Sequence, residues 1–243
     1  MRNALQIVTD ALDELGIPTP SSITSTTDDT EKQCRAILHA GARSFRNLRT
    51  FPQLKKKHEI TLVSARYQYP LPSDYYAALP DTAWDEDRAW RLMGPLSDGE
   101  MTSRVLGLTG GSTNRIGYRV FGPDINPAST GGQFKVEPTP TASGGVLSFE
   151  YIIRSMFVKS DYTTYYELLN ADTDYCLFDD DLMTAEFKWR YLRAKKKDYE
   201  QELADAKTLL DAAVARWQGT FIGSLTGGGT QRRYSVPDGG WSF

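Results

Sequence analysis

The stretch DDDLMTAEFKWRYLRAKKKDYEQELADAKTLLDAAVARW, residues 179–217, decides the fold. Its three opening aspartates place negative charge where a helix N-terminus favours it. Apolar residues then recur at helical spacing along one seam: Leu182, Trp189, Leu192, Tyr199, Leu203, Ala206, Leu210, Ala213 and Trp217. Lys196 is the only strongly polar interruption, and Gly219 ends the seam. The pattern predicts one helix of roughly 35 residues, about 50 Å long, which is too long for a compact β domain to cover.

Two further helices are predicted near the N-terminus, and the long helix is expected to pack on them. The first carries Ala4, Val8, Ala11 and Leu15 on one face and stops at Gly16. The second begins at the plausible capping pair Asp28 and Glu31, runs to about Thr50, and has one apolar face made by Cys34, Ile37, Leu38, Phe45 and Leu48. Gly41 lies on that face, where it would let a neighbouring helix approach closely.

The middle of the chain changes to a period of two, which is typical of strands with one wet face. Alternation starts at His58 in HEITLVSARYQYPLP, as a strand or a hairpin. Further strands are predicted at 104–108, 116–121, 133–138 and 146–153. Turn-forming stretches separate them, so short antiparallel connections are expected, with the Gly-Gly pairs at 110, 131 and 144 in hairpin loops.

These patterns together predict an α+β protein: a helical bundle built from both chain ends, an inserted antiparallel β domain, and an extended C-terminal arm. The predicted segments are 1–55 (helical, N-terminal part), 56–158 (β domain), 159–218 (helical, long C-terminal helix) and 219–243 (arm).

Composition indicates a globular protein without an overall affinity for polyanions. The chain has 243 residues, 40% of them hydrophobic, and a formal net charge of -3. No secretory signal and no membrane-spanning run is recognisable, which predicts a protein made in a cytoplasm with no membrane partner. Cys34 and Cys176 lie far apart in apolar surroundings, so two buried free thiols are expected rather than a disulfide.

Candidate catalytic groups are sparse. His39 and His58 stand near no nucleophile and at no metal-ligand spacing. The sequence therefore predicts no catalysis, no cofactor and no metal. A less favoured alternative is a carboxylate metalloenzyme that binds Mn or Mg through Asp85 and Asp87, in the acidic run AWDEDRAW.

A basic strip lies on the flanking face of the second helix, continues just beyond it, and offers another alternative. It comprises Arg35, Arg43, Arg46, Arg49 and the lysines at 55–57. Such a strip is either a solvated face or a partner surface. A standalone nucleic-acid-binding protein would use the part at 43–57 on phosphates.

One ordered set of motifs resembles a known family. In YQYPLPSDYYAALPDTAWDEDRAWRLMGPLSDGEM, residues 67–101, an alternating strand runs into a Y-x-L-P-x-D-[FY] pattern, a turn with Trp84 follows, and a stretch close to R-x-[LM]-G-P-L-S-x-x-E comes last. The matching residues are Tyr69, Leu71, Pro72, Asp74, Tyr75, Trp84, Arg91, Met93, Gly94, Pro95, Leu96, Ser97 and Glu100. Asp74 could cap its turn, and Ser97 with Glu100 forms a capping box for one more short helix.

This order of motifs is similar to that of head-to-tail adaptors of short-tailed bacteriophages, the tail tubular protein A group. The acidic entry and Trp-containing, Lys-rich helix at 171–206 resemble the same family, so the likeness covers approximately residues 1–218. The resemblance implies a structural virion protein of the neck, assembled in the host cytoplasm. It implies a ring of twelve copies beneath the portal protein that extends the channel for double-stranded DNA, without sequence-specific binding, and carries a tail nozzle or tubular component below.

The C-terminal stretch LTGGGTQRRYSVPDGGWSF, residues 225–243, combines glycines with two terminal aromatic residues. One reading is a disordered end with incidental aromatics. The other is an arm that docks on the portal or on a neighbouring subunit. Its predicted contacts are Arg232, Arg233, Tyr234, Val236, Trp241 and Phe243, and Arg43, Arg46 and Arg49 are predicted to lie near a portal contact or the channel.

Overall fold

The computed structural model describes residues 1–25, 28–48, 51–107, 115–121 and 132–217. The described helices are α1 (Ala4–Glu14), α2 (Asp29–Leu48), α3 (Asp98–Val105), α4 (Asp180–Ala194) and α5 (Glu200–Trp217), with a short 3-10 helix at Pro52–Leu54. The described strands are β1 (Lys55–Thr61), β2 (Gln68–Pro70), β3 (Tyr75–Ala78), β4 (Trp84–Asp85), β5 (Trp90–Arg91), β6 (Gly117–Phe121), β7 (Gln133–Glu137), β8 (Val146–Ile153), β9 (Phe157–Val158), β10 (Tyr165–Tyr166) and β11 (Tyr175–Cys176). The predicted α+β class is confirmed.

The chain divides into two compact units. One comprises Met1–Lys55 with the described residues from Arg154 onward, and the other comprises Lys56–Ile153. In the first unit, α4 packs against α1, α2 and α5. A small antiparallel sheet, with the strand order β10-β9-β11, belongs to the same unit and was not foreseen from the sequence.

Helix α1 has the boundaries that its sequence predicts. The Asn3 side chain accepts a hydrogen bond from the Gln6 backbone N–H at 2.8 Å, and the Gln6 side chain accepts one from the Asn3 N–H at 2.9 Å. This reciprocal capping satisfies two of the N–H groups that a helix start leaves open. Gly16 follows the last turn with φ +65°, a conformation that glycine adopts without strain.

Helices α2 and α4 approach closely at Gly41, as predicted. A Cβ at this position would lie 3.0 Å from Glu186 Cγ on α4. The buried Glu186 carboxylate accepts hydrogen bonds from Ser44 Oγ (3.0 Å), Trp189 Nε1 (2.7 Å) and Arg190 Nε (2.7 Å). Since a buried carboxylate is stable only when it is well paired, this network fixes the crossing of the two helices.

The predicted single long helix is wrong, because the structure divides it into α4 and α5. After Ala194 the Lys197 N–H donates to Leu192 O (3.0 Å) and the Lys196 N–H donates to Arg193 O (3.1 Å). Lys196 has a left-handed φ of +56°. This is the Schellman pattern that ends helices, here with lysine in place of the usual glycine. The apolar faces of the two helices pack against each other, and Ala206 of α5 contacts Ala185 and Trp189 of α4.

The second unit contains two sheets whose inner faces meet in a stack of aromatic rings. In the first sheet β8 pairs with β1, β3 and β4, and β5 pairs with β4. The second sheet has the order β2-β7-β6, with both pairings antiparallel. Tyr118 of β6 stacks on Phe134 of β7, which stacks on Phe149 of β8, with 5.0 Å between centroids in each pair. All three side chains are buried and form the centre of the core.

Three of the predicted strands, at 116–121, 133–138 and 146–153, are confirmed as β6, β7 and β8. The predicted strand at 104–108 is wrong, because α3 covers Asp98–Val105. The Ser97–Glu100 capping box, also predicted, starts that helix and decides the local structure. The Gly144 connection is not a hairpin either, since β7 and β8 lie in different sheets, and β1 and β2 likewise lie in different sheets. Gly110 and Gly131 fall outside the described residues.

Candidate interaction surfaces

The motif at 91–100 forms a rigid corner against strand β6. The Met93 N–H donates to Ile116 O (2.9 Å), the Tyr118 N–H donates to Met93 O (2.8 Å), and the Leu96 N–H donates to Tyr118 O (2.9 Å). Gly94, with φ +150°, passes so close that a Cβ there would lie 2.5 Å from Tyr118 O. Only glycine fits this position.

Helix α3 is fastened to the same corner. The Glu100 carboxylate accepts from the Ser97 N–H (2.8 Å) and hydroxyl (2.7 Å), and these hydrogen bonds lower the pKa of Glu100. Arg104 reaches back from α3 to Met93 Sδ (2.9 Å) and Arg115 O (3.3 Å). The cleft of about 360 Å³ beside the motif is lined by Arg91, Leu92, Met93, Gly94, Pro95, Leu96, Glu100 and Arg115.

Asp74 ties two strands together. Its carboxylate accepts hydrogen bonds from Lys56 Nζ of β1 (2.9 Å) and from Tyr151 OH of β8 (2.8 Å). Burial acts to raise the pKa of Asp74, but these two hydrogen bonds, the positive charge of Lys56 and a backbone hydrogen bond together hold the pKa below the usual value. Burial and the hydrogen bond to Asp74 raise the pKa of Tyr151. These motif residues therefore have a structural use inside the subunit.

The basic strip predicted from the sequence is not a continuous positive surface. Arg46 is buried, and its Nη1 donates to Arg154 O (2.9 Å) and Glu167 Oε1 (3.2 Å). Lys56 is engaged by Asp74, and Lys57 is engaged by Glu59 (3.0 Å) and Glu86 (2.5 Å). Arg43 is exposed, and Arg49 falls outside the described residues. Contacts of Arg43, Arg46 and Arg49 with a partner stay predictions.

The predicted contacts of the C-terminal arm also stay predictions. Arg232, Arg233, Tyr234, Val236, Trp241 and Phe243 all lie outside the described residues.

The two histidines and the two cysteines pack against other parts of the protein. His39 Nε2 accepts a hydrogen bond from the buried Leu169 N–H (3.1 Å), and burial, with the charges of Arg43 and Arg35, lowers the pKa of His39 to about 4. His58 packs edge-on against Phe149, and burial lowers its pKa as well. Cys34 and Cys176 are buried free thiols, as predicted.

The acidic side chains at 85–87 all interact with other groups of the same chain. Asp85 Oδ1 accepts from the Arg88 N–H (3.2 Å), Asp87 Oδ2 accepts from the Val146 N–H (3.0 Å), and Glu86 pairs with Lys57. In the part of the chain that the structure describes, no three His, Cys, Asp or Glu side chains come together as a metal-binding group. The geometry gives no support to the metalloenzyme alternative.

A dense cluster of positive charge lies where the sequence predicted the middle of a helix. Arg193, Lys195, Lys196 and Lys197, here called the basic turn, are exposed where α4 gives way to α5. Within the described ranges no ion pair engages their charged groups, and Lys195 Nζ lies 5.4 Å from the ring centroid of Tyr191. The sequence shows three consecutive lysines, but apolar residues continue at helical spacing on both sides of them and therefore predicted an unbroken helix.

No helix among the described residues is long and apolar enough to cross a membrane. The corner at Gly94, the helix crossing at Gly41 and the buried aromatic stack belong to an α+β protein. Residues 2–239 match the model of the SU10 adaptor protein family, and the chain belongs to that family. Comparison with curated proteins gave no significant match. Family membership makes the chain a structural adaptor of a bacteriophage, a virion component that contacts other phage structural proteins.

Proposed function

We propose that this chain is the subunit of a head-to-tail adaptor ring that joins the portal to the tail. Twelve copies would sit beneath the portal, extend the channel through which double-stranded DNA passes, and present a platform for the tail nozzle or tubular component below. The observation that carries the proposal is the family match over residues 2–239. The ordered motifs at 67–101, which resemble the tail tubular protein A group, support the more specific assignment to short-tailed phages.

The physical requirements of such a ring agree with this chain. A ring closes when one heterologous contact is repeated around an axis, so each subunit must keep its shape while both of its flanks are bound. The Gly94 corner and the Glu186 crossing supply that rigidity within their respective units. We infer that the role includes no catalytic step, and that the ring forms in the host cytoplasm before it enters the virion neck.

The arm at 219–243 is proposed to fasten the ring to the portal or to the next subunit. Its 25 residues could span about 80 Å when extended, at roughly 3.3 Å per residue. Arg232 and Arg233 would make charge contacts, Tyr234 and Val236 a short strand-like contact, and Trp241 and Phe243 the terminal anchors. Arg43 and Arg49 would contact the portal or face the channel. For Arg46 an indirect role is proposed, because its guanidinium already holds the backbone at Arg154.

Light scattering and particle images, recorded with and without a purified portal ring, test the proposal. The expected result is a large complex with the portal whose mass corresponds to a ring of copies and whose images show rotational symmetry. A stable monomer that ignores the portal would contradict the adaptor role.

A further inference from the structure

The backbone of the basic turn is fixed while its charged groups stay in solvent. Two hydrogen bonds, from Lys196 to Arg193 and from Lys197 to Leu192, close the turn. The side chains of Arg193, Lys195, Lys196 and Lys197 are exposed, and none has a carboxylate partner in the described residues. Four positive charges are thus held within five residues of a rigid turn, where they are available to an anionic partner.

Lys196 occupies a position that favours glycine. Its φ of +56° is a conformation in which a side chain is strained, and a glycine would end α4 with less strain. Such strain persists where the surrounding structure holds it, here through the two hydrogen bonds that close the turn. Cations near a helix C-terminus also stabilise the helix. Arg193 and Lys195 already supply this effect, so it does not require a lysine at position 196.

The surroundings of the turn favour nucleic acid over protein as the partner. Lysine is depleted in protein interfaces, which depend on buried aromatic and apolar anchors. The exposed large apolar residues nearest to the turn in sequence are Leu168 and Leu209, both well away from it along the chain. Clustered lysines without apolar anchors are instead typical of contacts with the phosphate backbone.

Acidic residues bound the turn on the side of α5. Asp198 Oδ1 accepts a hydrogen bond from the Glu200 N–H at 3.2 Å, so that carboxylate caps the helix start. Glu200 and Glu202 follow in the first turn of α5. Such neighbours make a weak, purely electrostatic contact more suitable than tight binding.

We propose that the basic turn is a contact for the phosphate backbone of double-stranded DNA, independent of base sequence. The choice of DNA as the polyanion rests on the proposed adaptor function. The assignment of the surface rests on the four exposed cations and on the two hydrogen bonds that fix their backbone. The basic turn, and not the strip at 43–57, is the proposed source of the phosphate contacts.

The test measures the affinity of the full chain for a mixed-sequence 30-bp duplex at 50 to 200 mM salt. If all four cations contact phosphates, the slope of log affinity against log salt is about -3.6, which is a loss of about 150-fold over this range. The triple variant K195Q/K196Q/K197Q is expected to reduce the slope to about -0.9, a loss of about 3.5-fold over the same range. Equal slopes for the wild type and the triple variant would overturn the proposal.

The control is R35Q/K55Q, which removes two cations from the strip predicted by the sequence and leaves the proposed portal contacts intact. It is expected to leave the slope unchanged, and a loss equal to that of the triple variant would refute the assignment to the turn. Lys196→Gly separates charge from structure: the slope should become less negative by about 0.9 while the melting temperature stays the same or rises. Wild-type DNA binding by this variant would remove Lys196 from the contact.

Two further measurements separate the possible failures. Polyglutamate, compared at equal charge concentration, should bind less tightly than DNA; equal or tighter binding would overturn DNA in favour of an acidic protein partner. Portal assembly is measured on the same wild-type sample. DNA binding with the expected slope but no assembly would contradict the adaptor ring alone, whereas assembly with an unaltered slope in the triple variant would contradict the DNA contact alone.

Discussion

Gly94 sets the corner between β5 and β6 because no side chain fits there. The carbonyl oxygen and the ring of Tyr118 occupy the space that a Cβ would need, and the backbone has a positive φ. Close packing of this kind cannot relax cheaply, since Tyr118 lies in the central aromatic stack. The family-like motif therefore contains glycine for a local steric reason.

Gly94→Ala should destabilise the protein by about 3 kcal/mol, through strain at this φ and overpacking against Tyr118. Gly99→Ala is the matched control, since Gly99 lies in α3 and a Cβ there meets nothing within 4 Å. The control should be neutral or stabilising by up to about 1 kcal/mol, because alanine favours a helix. Urea unfolding of both variants measures the difference, and equal stabilities would contradict the steric explanation.

His39 makes the stability of the helical unit depend on pH. Its folded-state pKa is about 4, against 6.5 for a free histidine. Above pH 6.5 the side chain is neutral in both states. As the pH falls from 6.5 to 4, His39 becomes protonated in the unfolded chain but stays neutral in the folded chain. The free energy of unfolding therefore decreases as the pH falls, and at pH 5 it is about 2 kcal/mol lower than at neutral pH.

His39→Gln keeps a hydrogen-bond acceptor for the Leu169 N–H but removes the titration. Urea unfolding at pH 7.5 and pH 5 should show a loss for the variant that is smaller than the wild-type loss by about 2 kcal/mol. The same pH dependence in both proteins would show that His39 is not the group responsible.

The α4–α5 pair shows why a helical pattern does not determine where a helix ends. Both halves of the seam are apolar at the correct spacing, and no glycine or proline marks residues 195–199. The break depends on a lysine in a conformation that sequence rules assign to glycine, and on the packing of Ala206 against Trp189, which only the folded chain reveals. Where the stop signal was conventional, as at Gly16, the predicted boundary was correct.

Lys196→Gly should stabilise the helical unit by about 1 kcal/mol, because glycine adopts the left-handed conformation without strain. Lys195→Gly is the control, since Lys195 has an ordinary φ of -85°. That change should give no gain. Thermal melting of the two variants against the wild type decides the point, and a loss of stability in K196G would mean that the lysine side chain itself supports the turn.

The strands were predictable where alternation was regular, as in β7, whose side chains alternate between buried and half-buried. Their assignment to sheets was not, because register and partner depend on contacts distant in sequence, such as Trp84 opposite Ser148. The segment at 104–108 was read as a strand although the Ser97–Glu100 box just before it already indicated a helix. A cap at a helix start is the stronger local signal, since it satisfies backbone groups directly.

For the molecule as a whole, the sequence predicted the class of protein better than it predicted which surfaces are positively charged. The order of motifs at 67–101 pointed to a phage adaptor, and the family match agrees. The basic strip was inferred from linear proximity alone. The burial of Arg46 and the ion pairs of Lys56 with Asp74 and of Lys57 with Glu86 could not be read from that proximity, because these partners are distant in sequence.

Deletion of residues 225–243 should leave the two units folded but weaken assembly. The described cores are formed by residues 1–217, so circular dichroism and melting temperature are expected to match the wild type. Loss of the proposed aromatic anchors should lower the affinity for the portal or for neighbouring copies by at least about tenfold. Sedimentation with portal rings measures this, with W241A/F243A as a milder variant. Unchanged assembly of the truncated chain would rule out an anchoring arm.

The placement of α4 against both α1 and α2 has a consequence for synthesis. The ribosome releases α1 and α2 first, then the whole of Lys56–Ile153, and only afterwards the helix that covers their apolar faces. The β unit has all its strands and can fold while translation continues, whereas the helical unit must wait. A nascent chain therefore lacks a closed bundle until α4 has been synthesised, and only then can the helical unit take its final shape.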